Sequence, residues 1–248
     1  MMVLSLSTGI FVILSILCVI SIIHDTYSRM NYIIHQTWKN GNLDEEQSLW
    51  VDSIKKAYPN YKYKFWSDDD NLWLIRIRHP EFLKFYETLN AVEKIDFVRH
   101  LYIYNYGGIY LDIDVKMNKP LVLEGADVFL CDQTEEVNTE KVEFLVDPFF
   151  LAGEEKCSFF YSMCESMMRG TIYNILSSKT DKKYHETLYK TGPYMFTKFY
   201  LINKHKYNIK VLKDVFTTKY YETDTPKEQF YGIHMQFNSW LNPEDRRR

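Results

Sequence analysis

Cysteine is scarce in this chain: four among 248 residues, one of them at position 18 in an apolar run. The other three, Cys131, Cys157 and Cys164, are odd in number and show neither CxxC nor metal-type spacing, so no disulfide framework or zinc site is signalled. An excess of positive charge is also missing. Thirty Lys and Arg stand against 33 Asp and Glu, a net charge of −3, which lacks the basic footprint of a nucleic-acid partner. No Asn-x-Ser/Thr sequon occurs, so nothing in the chain testifies to passage through a glycosylating lumen. Nine glycines and seven prolines never cluster into a linker, and no repeat divides the sequence. The stretch after Ser28, about 220 residues, is therefore expected to form one domain with a full core. Twenty Tyr and 16 Phe give that core an aromatic character.

One long apolar run is present. Val3 to Ile23 carries no charge, and as a helix it is about 31 Å long, enough to cross a hydrocarbon core of about 30 Å. A cleaved signal would show a basic start and a shorter apolar core, so the run reads as a single transmembrane anchor. Arg29 and Lys39 follow it and nothing basic precedes it, which by the positive-inside rule alone puts the bulk of the chain in the cytosol. Residues 243–248 end the chain as a basic tail.

Between these ends, strands and helices alternate. Asn31 to Gln36 and the period-two run Tyr61 to Trp66 read as strands, with a helix from Asp44 to about Ala57 between them. Ser67 to Asp70 is expected to cap a helix over Asn71 to Arg78, with the aspartates capping rather than binding metal. Pro80 opens a further helix, and Ala91 to about Asn105 forms the next, stopped by Gly107 and Gly108. Asp127 to Cys131 and Pro148 to Leu151 are strand candidates, Cys157 to Leu176 a helix, and Thr191-Gly192-Pro193 a break before a helix to about Asn203. The pattern predicts an α/β domain around a mainly parallel sheet, with its site at the carboxyl ends of the strands.

The chemistry concentrates in Tyr106-Gly107-Gly108-Ile109-Tyr110-Leu111-Asp112-Ile113-Asp114-Val115. Read as one strand, this run points Tyr110, Asp112 and Asp114 to one face and Ile109, Leu111 and Ile113 to the other. Two carboxylates that close repel unless a cation or donor sits between them, which suits a hard divalent cation and the phosphates it carries. On the preceding helix Asp96 and Arg99, at i and i+3, share a face. Alone, the Asp-x-Asp pair also fits a haloacid-dehalogenase-like phosphatase, in which the first Asp attacks phosphorus, or a metal-dependent nuclease.

The run from Ala91 through Val115 resembles glycosyltransferase family 32, whose members carry a sugar-binding region with a DXD motif and include Golgi α-1,6-mannosyltransferases and inositol-phosphoceramide mannosyltransferases. Of the family pattern A-x-x-x-D-x-x-R followed by Y-x-x-G-G-x-Y-x-D-x-D, the second half is met in full by Tyr104 to Asp114, and Asp96 and Arg99 supply the Asp and Arg of the first. Ile33 to Trp38 looks like the family's opening strand, and Ile233 to Trp240 like its closing His...Ser-Trp segment. Trp66-Ser67-Asp68 and Thr191-Gly192-Pro193 have counterparts too.

That resemblance implies an A-type, Rossmann-like nucleotide-diphospho-sugar transferase domain over residues 31–242. It would retain anomeric configuration and move a hexose, mannose first and glucose or galactose next, from GDP-mannose or a UDP-hexose to a glycan or glycolipid acceptor. Mn²⁺ or Mg²⁺ would neutralise the diphosphate leaving group. Asp114 is then the direct metal ligand, and Asp112 bridges metal and ribose. Asp96 takes the donor-sugar hydroxyls, and Arg99 the diphosphate or sugar. Tyr110 is placed to contact the sugar and Trp38 to stack on the base, and the third metal ligand is open among His234, Asn238 and Ser239. Eukaryotic relatives imply a Golgi or ER membrane with a luminal domain. The non-enzyme alternative is a membrane-tethered carbohydrate-binding protein that keeps the fold without turnover.

Overall fold

The computed structural model describes residues 30–132, 145–172, 186–219 and 226–236. The apolar run Val3 to Ile23, the tail 243–248, and Asn238, Ser239 and Trp240 lie outside the described residues. Among the described residues, no helix is long and apolar enough to cross a membrane.

The first half alternates as expected. Strand β1 is Ile33–Thr37, helix α1 Glu45–Ala57, strand β2 Lys62–Trp66 and helix α2 Asp68–Arg78. Asp44 caps α1 with Gln47 in a reciprocal box, and Ser67 caps α2 with Asp70 in another. The three aspartates thus belong to the first turn of α2 rather than preceding it, where they meet the positive end of the helix. A 3₁₀ turn at Pro80–Phe82 leads into α3, Leu83–Thr88, and then α4, Ala91–Tyr106. Helix α4 is boxed at its start by Asn90 and Glu93 and ends on Gly107 at φ 61°.

Strand β3, Gly108–Leu111, stops one residue before the first carboxylate of the Asp-x-Asp pair. The expected continuous strand is instead two: Asp112 to Asp114 form a turn, and β4, Val115–Met117, joins a different sheet. Within β3 the alternation holds, with Tyr110 in one core cluster and Ile109 and Leu111 in the other.

The remaining elements are β5, Val128–Asp132; β6, Val146–Gly153; α5, Ser158–Arg169; α6, Glu186–Lys190; α7, Pro193–Asn203; β7, Ile209–Leu212; β8, Phe216–Thr218; and β9, Gly232–His234. Helix α5 is shorter than the expected 157–176 run because Gly170 takes a left-handed conformation and closes it. The large sheet has the order β2-β1-β3-β6-β5-β7. It is mixed rather than mainly parallel, because β6 runs antiparallel to both β3 and β5. Eight residues of near-continuous apolar sequence hid that reversal, since a buried strand shows the same pattern in either direction.

One core cluster packs α2 to α5 and α7 on one face of this sheet; the other packs α1 and a three-stranded sheet, β4-β9-β8, on the opposite face. Helix α4 is buried nearly all round, with Phe97, Val98, Leu101, Tyr102 and Ile103 inaccessible to solvent.

Candidate functional site

The site lies where β1 and β3 end, as the topology rule for such sheets requires. A cavity of about 290 Å³ opens there, with Trp38, Asp96, Arg99, Tyr110, Asp112, Asp114, Asp147 and His234 among the residues that line it.

Its floor is set by close backbone approach at the α4–β3 corner. Gly108 has φ +93°, and a Cβ there would sit 2.3 Å from the carbonyl oxygen of Ile33, so only glycine lets β3 pair with β1 at this point. His35 braces the same corner. Trp66 donates its indole N–H to His35 Nδ1 at 3.1 Å, which leaves Nε2–H to donate to the carbonyl of Gly107 at 2.9 Å. Burial lowers the His35 pKa to about 4, so the ring is a neutral strut. The resemblance placed this strand at the nucleotide, and its contribution to the cavity comes instead from Thr37 and half-buried Trp38 at its end.

Immediately past β3, the turn presents its carboxylates. The side chain of Gln36 donates to the Asp112 carbonyl at 3.0 Å, and Asp112 N donates to the carbonyl of Phe149 at 2.8 Å. Asp112 Oδ1 accepts the Tyr110 hydroxyl at 2.6 Å and lies 3.3 Å from Arg99 Nη1. Arg99 is buried, with Nη2 on Asp96 Oδ1 at 2.6 Å, Nη1 on the Pro148 carbonyl at 3.0 Å and its charge over the Tyr110 ring. Burial alone would weaken that charge, but Asp112, Tyr110 and Asp96 outweigh it, and the guanidinium stays protonated. The second oxygen of Asp96 accepts from Thr191 at 2.8 Å. Burial raises the Asp96 pKa to about 6 against the opposing pull of Arg99 and Thr191. Both carboxylate oxygens of Asp96 and the hydroxyl of Tyr110 are thus engaged by protein groups.

His234 arrives from the other end of the sequence. Strand β9 pairs antiparallel with β4, with Val115 opposite His234, and Met235 N donates to the Asp114 carbonyl at 2.8 Å. This register sets His234 Nε2 3.5 Å from Asp114 Oδ1, while the Phe149 ring stacks on the imidazole at 4.4 Å. One ligand atom each from Asp112, Asp114 and His234 lie within 4.8 Å of one another. Of the three candidates for the third ligand, His234 is therefore brought to the carboxylates; Asn238 and Ser239 lie outside the described residues. Burial alone would lower the His234 pKa, yet Asp114, Asp147 and Asp112 reverse this and hold it at about 9. Two carboxylates and an imidazole that draw positive charge this strongly suit a divalent cation, and His234 Nδ1 is buried with no hydrogen-bond partner among the described residues.

Asp147 escaped the sequence reading. It is the second residue of β6, and it reaches the cavity because the strand bulges: Leu130 pairs with Leu151 but Cys131 with Asp147, so Pro148 to Phe150 are looped out of the β5 ladder. Pro148 has no N–H to give a ladder, and the two carbonyls released there accept from Arg99 and from Asp112 N. An Asp-Pro step inside an apolar strand pattern was the available signal. Burial pushes the Asp147 carboxyl above its usual range, with His234 pulling the other way.

Residues 44–137 match the family described as "Glycosyltransferase sugar-binding region containing DXD motif". "Inositol phosphoceramide mannosyltransferase 3" of Schizosaccharomyces pombe is 38% identical over 106 residues, covering 40% of this chain and 29% of that protein. "Inositol phosphoceramide mannosyltransferase 1" of the same organism is 25% identical over 183 residues, 70% of this chain and 53% of that protein. The chain therefore spans about a third to a half of the length of these relatives. The UDP-bound glycosyltransferase domain from the YGT toxin shares the fold, with TM-score 0.55 at 9% identity over 74% of this chain and 79% of that one. Residues 44–137 thus carry the sugar-binding region of the glycosyltransferase family, and the fold is that of a glycosyltransferase domain.

Proposed function

We infer that this chain, which carries the glycosyltransferase sugar-binding region and folds as a glycosyltransferase domain, is a metal-dependent hexosyltransferase that retains anomeric configuration. The observation that carries the reading is the convergence of Asp112, Asp114 and His234, from chain segments far apart in sequence, at the mouth of a cavity lined by Asp96 and Arg99. The donor is a nucleotide sugar, with GDP-mannose ahead of a UDP-hexose because the curated relatives are named as mannosyltransferases. Those names, with their inositol phosphoceramide, also favour a glycolipid over a free glycan as acceptor.

Asp114, Asp112 and His234 would hold Mn²⁺ or Mg²⁺, which when bound neutralises charge on the departing diphosphate. The protein's own groups do the rest. Tyr110 and Arg99 fix the Asp112 carboxylate, leaving its other oxygen for the metal and ribose. Trp38 offers a ring face for the base. The Asp96–Arg99 pair, locked by Thr191 and Pro148, presents a preorganised polar wall to the sugar. Residues 31–242 form the catalytic unit in this proposal, followed by the basic tail 243–248. Residues 3–23 tether it to a membrane, that of the Golgi or ER with a luminal catalytic domain in a eukaryotic host.

The full chain incubated with GDP-mannose, UDP-glucose or UDP-galactose and Mn²⁺ tests this. Release of nucleoside diphosphate from one donor is expected, abolished by EDTA, with NMR of the product showing the donor's anomeric configuration. Glycan binding without turnover on any of the three would return the site to a binding protein.

A further inference from the structure

Retention of configuration needs either a front-face transfer or a protein nucleophile, and the sequence alone offered no candidate for the second. The cavity contains four described aspartates. Asp96 has one oxygen on Arg99 and the other on Thr191. Asp112 is held by Tyr110 and Arg99, and both Asp112 and Asp114 belong to the cluster with His234. Asp147 differs. Its Oδ1 accepts from Phe149 N at 3.1 Å, and among the described residues its Oδ2 has no hydrogen-bond or ion-pair partner. The bulge that carries it is pinned on both sides, by Arg99 Nη1 to the Pro148 carbonyl and by Asp112 N to the Phe149 carbonyl. Strand register at β6 is thereby spent on aiming one carboxylate into the cavity beside the cation-attracting cluster.

We propose that Asp147 is a catalytic residue, its Oδ2 facing the anomeric carbon of the donor sugar and carrying the glycosyl group between donor and acceptor. The inference rests on the glycosyltransferase reading above and specifies its mechanism. In the first step the bond from C1 to the diphosphate oxygen breaks, its electron pair leaves with the nucleoside diphosphate, and a C1–Oδ2 ester bond forms. In the second, an acceptor hydroxyl oxygen attacks C1, and the C1–Oδ2 pair returns to the carboxylate. The hydroxyl proton passes to the nucleoside diphosphate. Two inversions give net retention. Partial burial favours the chemistry, because a half-buried carboxylate gives up less hydration on bonding to carbon, while Arg99 and His234 nearby offset the loss of water.

The test uses the full chain with GDP-mannose and UDP-glucose as probes in the presence of Mn²⁺. Asp147→Asn is expected to lower kcat for donor cleavage at least about a thousandfold while donor KM stays within a few-fold. A role confined to folding would move both constants or the melting curve. Wild-type protein given donor without acceptor should gain one hexosyl group on the peptide containing Asp147, a measurement that does not depend on any variant folding. Azide should restore turnover to Asp147→Ala and release a glycosyl azide of inverted configuration. The proposal is overturned if Asp147→Asn keeps more than about a tenth of wild-type kcat, or recovers it fully at higher Mn²⁺, which would make Asp147 a metal ligand. Absence of turnover by the wild type would overturn the function itself and this step with it; turnover that survives Asp147→Asn overturns this step alone.

Discussion

Tyr110 and Gly108 separate two things a single residue can do for this site. The Tyr110 ring is almost fully buried and among the described residues its hydroxyl donates to Asp112, so Tyr110→Phe removes a hydrogen bond to a carboxylate and little packing. Such a bond contributes about 1.5–3 kcal/mol. Here it holds Asp112 in place, so kcat/KM should fall roughly ten- to a hundredfold. A variant with wild-type kcat/KM would show that Asp112 needs no orienting partner. Gly108 is the reverse case, because a methyl group there would press on the Ile33 carbonyl at 2.3 Å and force φ +93° on an L-residue. Gly108→Ala should cost about 3 kcal/mol or more and lower the melting midpoint by about 10 °C. An unchanged midpoint would mean the corner relaxes freely.

At the scale of elements, the first half of the chain was legible because its signals are local. Caps at Asp44, Ser67 and Asn90 and the glycine pair bound the helices that the sequence marks out. What escaped depended on pairing between distant strands: the reversal and bulge of β6, and the β4–β9 register that delivers His234. The Asp-x-Asp pair was found, yet its strand was drawn too long, since period two persists on paper through a turn that only backbone geometry reveals. His35, inside the segment that resembles the family's opening strand, is a brace between β1 and the α4–β3 corner. That brace has a pH signature. The folded pKa, about 4, lies below the ordinary 6.5, so the unfolded chain takes the proton first. The stability from the neutral ring is complete above pH 6.5 and is lost as pH falls toward 4, about 3 kcal/mol in all. His35→Gln should be less stable at neutral pH, and the gap to wild type in urea titrations should narrow by about 2–3 kcal/mol near pH 4.5. A gap independent of pH would show that His35 is not buried as the neutral form.

Across the whole molecule, the site is a joint between two sheets. The large sheet supplies Asp112, Tyr110 and Asp147, the small sheet supplies His234, and Asp114 stands at the crossing between them. Helix α4 sets Asp96 and Arg99 against that joint from within the core, so the polar machinery is backed by packing and faces the cavity. The central claim is that this joint holds a divalent cation for the transfer of a sugar from a nucleotide diphosphate. Mn²⁺-dependent release of GDP from GDP-mannose, compared between the wild type and Asp114→Ala, tests it most directly. The account predicts release by the wild type that EDTA abolishes, and a loss of at least about a thousandfold in the variant at equal folded content. Release that survives both EDTA and the substitution would contradict it.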